Sequence, residues 1–375
     1  MQNTTPNTPS ENLTCTIDYV DNLGQGVDKK QSKITLIPKT LPGEVVEIST
    51  KNEQSKVRFG KLEKIVEASD VREKPICRHF NDCPGCHYLH TNYKQEVLLK
   101  KSHAEHLFKK YLTDVPMNFI QAPDRLGYRN RIQLHYSKKE KKLGFIRQGE
   151  GILQVPECQI IQPNMKLKLK ELYQNGAWEK LVEKEKDTGH IEIYAKGRKT
   201  EVNINRPYAE GGFSQVNEAM NLLLVDKITQ AYQDHHKVGP ILDLFGGNGN
   251  LTQNLTREDK VLCVDTYQTL PNPIGPKTFY SLDLFNNDAL KNFKKSHPKP
   301  FPNLILDPPR SGFKDIREWS DALKVQTIIY VSCHPQTQVR DLETLIGPFK
   351  VKEISIFDLF PSTFHFESVV VLSRV

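Results

Sequence analysis

Six short, nearly uninterrupted apolar runs dominate the C-terminal half of the chain, at residues 241–245, 261–264, 304–306, 328–331, 354–357 and 369–372. A strand with one wet face alternates apolar and polar residues. These runs do not alternate, so both of their faces must be covered. Polar and helical stretches separate them, as in a strand–helix–strand succession. From about Pro207 the pattern therefore predicts an α/β domain built on a doubly wound, largely parallel sheet. Ligands of such sheets sit beyond the carboxyl ends of the strands. The residues following each run are thus the first candidates for chemistry.

The N-terminal part reads differently. The segments TCTIDYV, SKITLIP, GEVVEIS and KVRFGKLEKIV alternate β-branched or aromatic residues with polar ones. Turn residues at 22–26 and 41–43 separate them. Short strands at this spacing predict a small β-barrel or another small all-β module over residues 13–70. Residues 1–12 are polar and read as a disordered tail.

Residues 71–206 read as a central α+β domain. Three cysteines open it, at 77, 83 and 86. A helix follows over about 93–112, with Val97, Ala104, Phe108 and Tyr111 on one face, a face that suits packing on the catalytic domain. Residues 127–149 read as a hairpin with seven Lys/Arg, one acid and three aromatics. Cations beside rings suit phosphates and stacked bases, and suit a plain solvated face equally well. A lysine-rich stretch at 164–200 reads as exposed helix, then strand.

No stretch approaches the ~18 apolar residues of a membrane span, and the first residues lack a signal peptide's apolar core. A cytoplasmic, folded protein is expected. The net charge of +7 suits a polyanionic partner without requiring one. In a reducing compartment, seven cysteines point to metal ligation or catalysis wherever they cluster.

The run at 241–245 leads into a Gly-rich turn, ILDLFGGNGN. A dinucleotide fingerprint needs glycines at Gly-x-Gly-x-x-Gly, and this turn does not have them. Asp243 within the strand would repel a pyrophosphate. It would instead favour S-adenosylmethionine, which is cationic at its amino group and sulfonium. The next run ends at Asp265, where an acid can accept hydrogen bonds from both ribose hydroxyls. A third acid, Asp283, can approach the adenine end.

Three later stretches fall on the same edge of the sheet: LDPPR (306–310), YVSCHP (330–335) and FPSTFHFE (360–367). Cys333 follows a buried strand directly, at a turn, which is a position for a nucleophile.

At these residues the chain resembles the uridine-C5 RNA methyltransferases, over nearly its whole length from about Thr14. LGQGV and LPGE resemble marks of their TRAM domain, an OB-like RNA-binding barrel. Pro75-x-Cys77 with CPGC at 83–86 is similar to their iron–sulfur segment, and FSQVN (213–217) to the motif before their cofactor domain. LDLFGGNGN, LDPPRSG, YVSCHPQT and DLFPSTFHFE follow in that family's order. The resemblance implies a Rossmann-like class I methyltransferase domain over 207–375. It implies Cys333 as a nucleophile adding to C6 of the uridine, and Glu367 as the base that removes the C5 proton. It places Gln215, Phe245, Asn250, Asp265, Asp283 and Asp307 around the cofactor or the target base. It also implies a flipped-out uridine. Two departures stand out: His334 where the family has Asn, and Gly246 and Asn248 where Cys and Met are common.

Cys77, Cys83, Cys86 and Cys158 form a four-thiol set suited to Zn²⁺ or a [4Fe–4S] cluster. Spacing alone does not separate the two; the resemblance favours [4Fe–4S]. A barrel plus a cluster resembles the enzymes of 23S ribosomal RNA, acting as monomers, with tRNA as the alternative substrate. Two other readings compete. A non-covalent base or amino-group methyltransferase would leave Cys333 and Glu367 idle. A non-catalytic RNA-binding protein would have no need of either.

Overall fold

The computed structural model describes residues 13–30, 32–147, 149–197, 199–207, 215–267 and 277–375. The 1–12 tail and Phe213-Ser214 of the FSQVN motif lie outside the described residues.

In chain order the elements begin with β1 (Leu13–Thr16), β2 (Tyr19–Val20), β3 (Gln25–Asp28), β4 (Ile34–Pro38), β5 (Val45–Glu53) and β6 (Val57–Glu67), then helix α1 (Tyr93–Phe108). Next come β7 (Met117–Ile120), β8 (Arg131–Ser137), β9 (Lys142–Arg147), β10 (Gly151–Gln154), α2 (Pro163–Tyr173), α3 (Ala177–Leu181), β11 (Thr188–Lys196) and β12 (Lys199–Ile204). The rest is α4 (Glu218–His235), β13 (Ile241–Leu244), β14 (Val261–Asp265), β15 (Thr278–Ser281), α5 (Ala289–Ser296), β16 (Asn303–Leu306), α6 (Ile316–Ala322), β17 (Thr327–Ser332), α7 (Pro335–Leu345), β18 (Phe349–Phe357) and β19 (Glu367–Arg374). Among the described residues no helix is long and apolar enough to cross a membrane.

The chain divides into two compact units. One comprises Met1–His103, Gly144–Gln159 and Ser362–Phe364; the other comprises Ala104–Leu143, Ile160–Pro361 and His365–Val375.

The first unit holds a six-stranded sheet in the order β1-β5-β6-β4-β3-β2. Its core is Cys15, Ile17, Ile37, Val46 and Ile48. Register shifts between β5 and β6 coil this pair. The sequence pattern put a turn at 22–26, yet a strand, β3, begins at Gln25. Gly26 is there because the backbones approach closely. A Cβ at that position would lie 1.9 Å from Thr40 Oγ1 and 2.9 Å from Ile17 Cγ2. Buried Glu44 of LPGE ties the sheet's turn to the segment after it. Its carboxylate accepts from Leu41 N at 2.8 Å and from Arg72 Nη2 at 2.8 Å.

The second unit is built on an eight-stranded sheet in the order β15-β14-β13-β16-β17-β19-β18-β7. β15 through β17 are mutually parallel. β19 inserts antiparallel between β17 and β18. The six apolar runs are six of these strands, as their double-sided burial requires. β7 was not visible in the pattern. It joins the far edge, parallel to β18. Chain order reverses at β13, whose neighbours are β14 and β16. This opens a crevice at the carboxyl ends of β13 and β16.

Phe293, Phe301, Phe313 and Trp319 pack on the sheet in one core. Ala104 and Phe108, from the second half of α1, belong to the same core. A separate antiparallel ladder, β8-β11-β12, carries its apolar residues Ile132, Leu134, Ile191 and Ile193 inward. The lysine-rich stretch forms α2, which buries Met165, Leu169 and Leu172 and leaves its lysines outward.

Candidate active site

β13 ends in the Gly-rich turn. Asp243, within the strand, is fully buried. Its Oδ2 accepts from Thr252 Oγ1 at 2.9 Å and from the Cys263 thiol at 3.5 Å. Among the described residues, Oδ1 has no hydrogen-bond partner. Burial pushes the carboxyl up to about 6, against the pull of the Thr252 and Cys263 hydrogen bonds and of Lys277. Phe245 then turns with φ +59°, a left-handed conformation that a bulky residue adopts only under constraint. Gly246 lies close against the buried acid: a Cβ there would sit 2.9 Å from Cγ of Asp243, so a larger residue needs that side chain to shift. Gly247 and Gly249 also take positive φ, and a Cβ on Gly247 would meet nothing within 4 Å.

Asp265, at the end of β14, accepts from Gly247 N at 2.9 Å and from Thr266 N at 2.7 Å. The acid expected to accept from a ribose thus braces the Gly-rich turn through Oδ2, with Oδ1 on the N–H of the residue that follows it. Asn250 forms a reciprocal amide pair with Asn221 of α4, at 2.9 and 3.0 Å. Asn221 carried no signal of its own in the sequence. The Phe245 ring packs against Phe285 and Phe313, at centroid distances of 5.5 and 5.2 Å. Phe285 is 52 % exposed, leaving an aromatic surface beside the turn. Asp283 is exposed, and its Oδ1 caps Phe285 N at 3.0 Å. Its carboxylate holds its own loop, as a turn-forming Asp does. Gln215 accepts at its carbonyl from Asn130 Nδ2, at 3.1 Å. Asn217, two residues on, caps α4 through Met220 N at 3.3 Å and reaches Leu359 O at 3.1 Å.

The reactive stretches converge. β17 and β19 pair antiparallel up to Ser332↔Ser368. Cys333 and Glu367 adjoin this last pair, so the ends of the two strands bring the expected nucleophile close to the expected base, and the Glu367 charge acts on the thiol. Asp307 leaves β16 beside them, with its N–H donating to Leu244 O at 3.3 Å. Burial raises the Cys333 thiol to about 12; Glu367 and Asp307 raise it too, while Arg310 hydrogen-bonds it and pulls it down. Glu367 is held well above the carboxylate range by burial, then by Asp307. Asp307 is raised by burial, then by Asp243 and Asp265. Four carboxyls and one thiol thus sense one another at the end of the sheet. Arg310, read in the sequence only as part of a motif, is the cation on the thiol. His334 starts α7; its Nδ1 lies 3.3 Å from Thr337 Oγ1.

In the first unit, the thiol of Cys86 is raised well above its usual value, by burial and then by Cys158, Cys83 and Cys77. Three of the four cysteines predicted as one set thus lie within electrostatic reach of the fourth, Cys86. Cys83 Sγ accepts from Gly85 N at 3.4 Å. Among the described residues, no group of three or more His, Cys, Asp or Glu is arranged to hold a metal ion.

A parallel sheet with a reversal at β13, a Gly-rich turn over a buried acid, and an antiparallel β18–β19 pair define a Rossmann-like class I methyltransferase fold. The relatives are more particular. Residues 289–375 match the family model described as tRNA (uracil-5-)-methyltransferase. The 23S rRNA (uracil(1939)-C(5))-methyltransferase RlmD of Vibrio parahaemolyticus is 27 % identical over 427 residues, covering 96 % of this chain and 95 % of its own. That of Yersinia enterocolitica is 27 % identical and covers 98 % and 96 %. Among solved structures, the Pyrococcus abyssi tRNA (uracil-54, C5)-methyltransferase with S-adenosyl-L-homocysteine has the same fold. Its TM-score is 0.73 at 20 % identity, covering 96 % of this chain and 99 % of that one. The chain is thus similar, end to end, to enzymes that methylate uracil C5 in RNA.

Proposed function

We propose that this protein transfers a methyl group from S-adenosylmethionine to C5 of a uridine in RNA, through a covalent Cys333 adduct. One observation carries the reading: β17 and β19 pair up to Ser332↔Ser368, which brings Cys333 and buried Glu367 to adjoining strand ends, with half-buried Asp307 close enough to act on the thiol. A purely structural cysteine has no need of a buried carboxylate nearby and an arginine on its sulfur.

The donor fits the residues present. Asp243 Oδ1 is a buried acceptor without a partner among the described residues, suited to the donor's ammonium group. Phe245 and Phe285 offer an aromatic face for an adenine. In this reading Gln215, Asn250, Asp265, Asp283 and Asp307 supply the remaining contacts to the donor or the target base. When bound, S-adenosylmethionine supplies an electrophilic methyl group.

The chain does the rest. The Cys333 sulfur adds to C6; the C5=C6 π pair becomes a C4=C5 bond, the carbonyl π pair moves onto O4, and C5 of the resulting enolate is nucleophilic. Arg310 stabilises the thiolate that attacks. Cys333 and Glu367 disfavour each other's charge, so both are not anionic together. Forming the C–S bond consumes the thiolate charge and so favours ionisation of Glu367. Once C5 carries the methyl group, Glu367 removes its proton. The electrons re-form C5=C6 and expel the sulfur. The raised affinity of Glu367 for protons makes it the stronger base.

In this reading residues 13–70 are an OB-like TRAM domain that binds RNA. Cys77, Cys83, Cys86 and Cys158 are the donors for a [4Fe–4S] cluster, with Zn²⁺ as the alternative. Such a cluster would cross-link the unit and shape its RNA-binding surface. The RlmD relatives favour 23S ribosomal RNA over tRNA as the substrate; in this reading the protein acts as a cytoplasmic monomer. Mapping 5-methyluridine in RNA from cells lacking the protein tests this. One ribosomal position should lose its methyl group; loss from tRNA alone would overturn the ribosomal assignment, and unchanged RNA would overturn the function.

A further inference from the structure

The strand ends that bear Cys333 and Glu367 are joined by one buried amide. Gln338, on the first turn of α7, is fully buried. Its Nε2 donates to Tyr330 O on β17, at 2.8 Å. Its Oε1 accepts from Ser368 Oγ on β19, at 2.7 Å. Ser368 Oγ also lies 3.1 Å from Ser332 O, one residue before the nucleophile. Ser368 itself directly follows Glu367. A primary amide is costly to bury unless its groups are paired. Here both ends are paired, to two strands, within three residues of the reacting groups.

Neighbouring α7 side chains tie down a different side of the site. Asp341 accepts from Tyr330 OH and from Phe313 N, both at 2.7 Å. Thr337 Oγ1 lies 3.1 Å from Arg310 O. Those contacts fix the loop bearing Asp307 and Arg310. The Gln338 contacts fix the strand that bears Glu367.

We infer that Gln338 is a positioning residue: through Ser368 and the Tyr330 carbonyl it holds the Cys333 turn in register with Glu367. The inference rests on the catalytic reading of those two residues. A methionine at 338 fills the same space without either hydrogen bond. A loosened pair loses near-attack geometry, and small displacements of this kind cost one to two orders of magnitude in rate.

The test uses the full-length protein, purified in parallel as wild type, Q338M, S368A, the double variant and C333A. It measures kcat, KM for both substrates, the pH profile of Cys333 alkylation, and adduct formation on 5-fluorouridine RNA. Q338M should lower kcat about tenfold and slow adduct formation equally, leave KM for S-adenosylmethionine unchanged, and displace the alkylation profile. S368A should show a smaller loss, and the double variant should be no worse than Q338M, because the two act as one unit. Wild-type kcat in Q338M overturns the inference. So does a loss that merely follows cofactor affinity and folded fraction with an unmoved pH profile. Failure of the catalytic reading looks different: the wild type forms no adduct, or C333A still forms one.

Discussion

Replacing Asp243 with Asn separates what the buried acid does for the fold from what it does for a cationic ligand. In the free protein, burial lifts this carboxyl from its ordinary value near 4 to about 6. The folded chain then binds the proton more tightly than the unfolded chain does. The group's contribution to stability is full in acid, below its unfolded value. It is lost as pH rises through about 6. The rise is worth about 3 kcal/mol, so unliganded D243N should be more stable than wild type at pH 8 by up to that amount.

Ligand binding should respond in the opposite sense. An ammonium on Oδ1 needs the ionised carboxylate. Wild-type affinity should therefore weaken about tenfold per pH step below 6 and level off above 7. At pH 8 the Asn variant should bind about 10- to 100-fold more weakly, the cost of losing a charge-assisted hydrogen bond. Its affinity should vary less with pH. Calorimetric titration with S-adenosylhomocysteine, which carries the ammonium, reads the effect. 5′-Methylthioadenosine, which lacks it, should not distinguish the two proteins. If D243N keeps the wild-type pH slope, or loses affinity for both ligands alike, Asp243 does not hold the ammonium.

Two predictions concern the scaffold and one the cysteine set. Trp319 packs against Phe293 and Phe313, at 5.3 and 5.9 Å between ring centroids; W319A should cost about 3–5 kcal/mol in urea unfolding, and a loss under 1 kcal/mol would contradict the packing. G26A should destabilise the N-terminal sheet, because Thr40 Oγ1 occupies the methyl position, and wild-type melting of that unit would refute the close approach. Protein purified without oxygen should carry about four iron and four sulfide per chain and lose both in C86S; one zinc and no iron would favour the alternative.

The legibility of this chain follows its physics. Double-sided burial writes an unmistakable run, so the six central strands stood out. β7 is a four-residue edge strand with no fully buried residue, too short and too mixed for a periodic signal. Gly26 read as a turn because composition does not distinguish a glycine needed for positive φ from one needed for close approach. Cys333 and Glu367 were legible as motifs, but their proximity was not: it depends on β19 inserting antiparallel beside β17, a long-range pairing that local pattern does not encode. The braces around the turn, Asn221 with Asn250 and Gly247 with Asp265, are likewise products of the packed fold.

The most direct measurement is denaturing electrophoresis of the protein mixed with 5-fluorouridine-substituted RNA and S-adenosylmethionine. A protein–RNA band that survives denaturation, needs the methyl donor and vanishes in C333A is the predicted result. No stable band from an active wild-type enzyme, or one that persists in C333A, would contradict sulfur addition at C6.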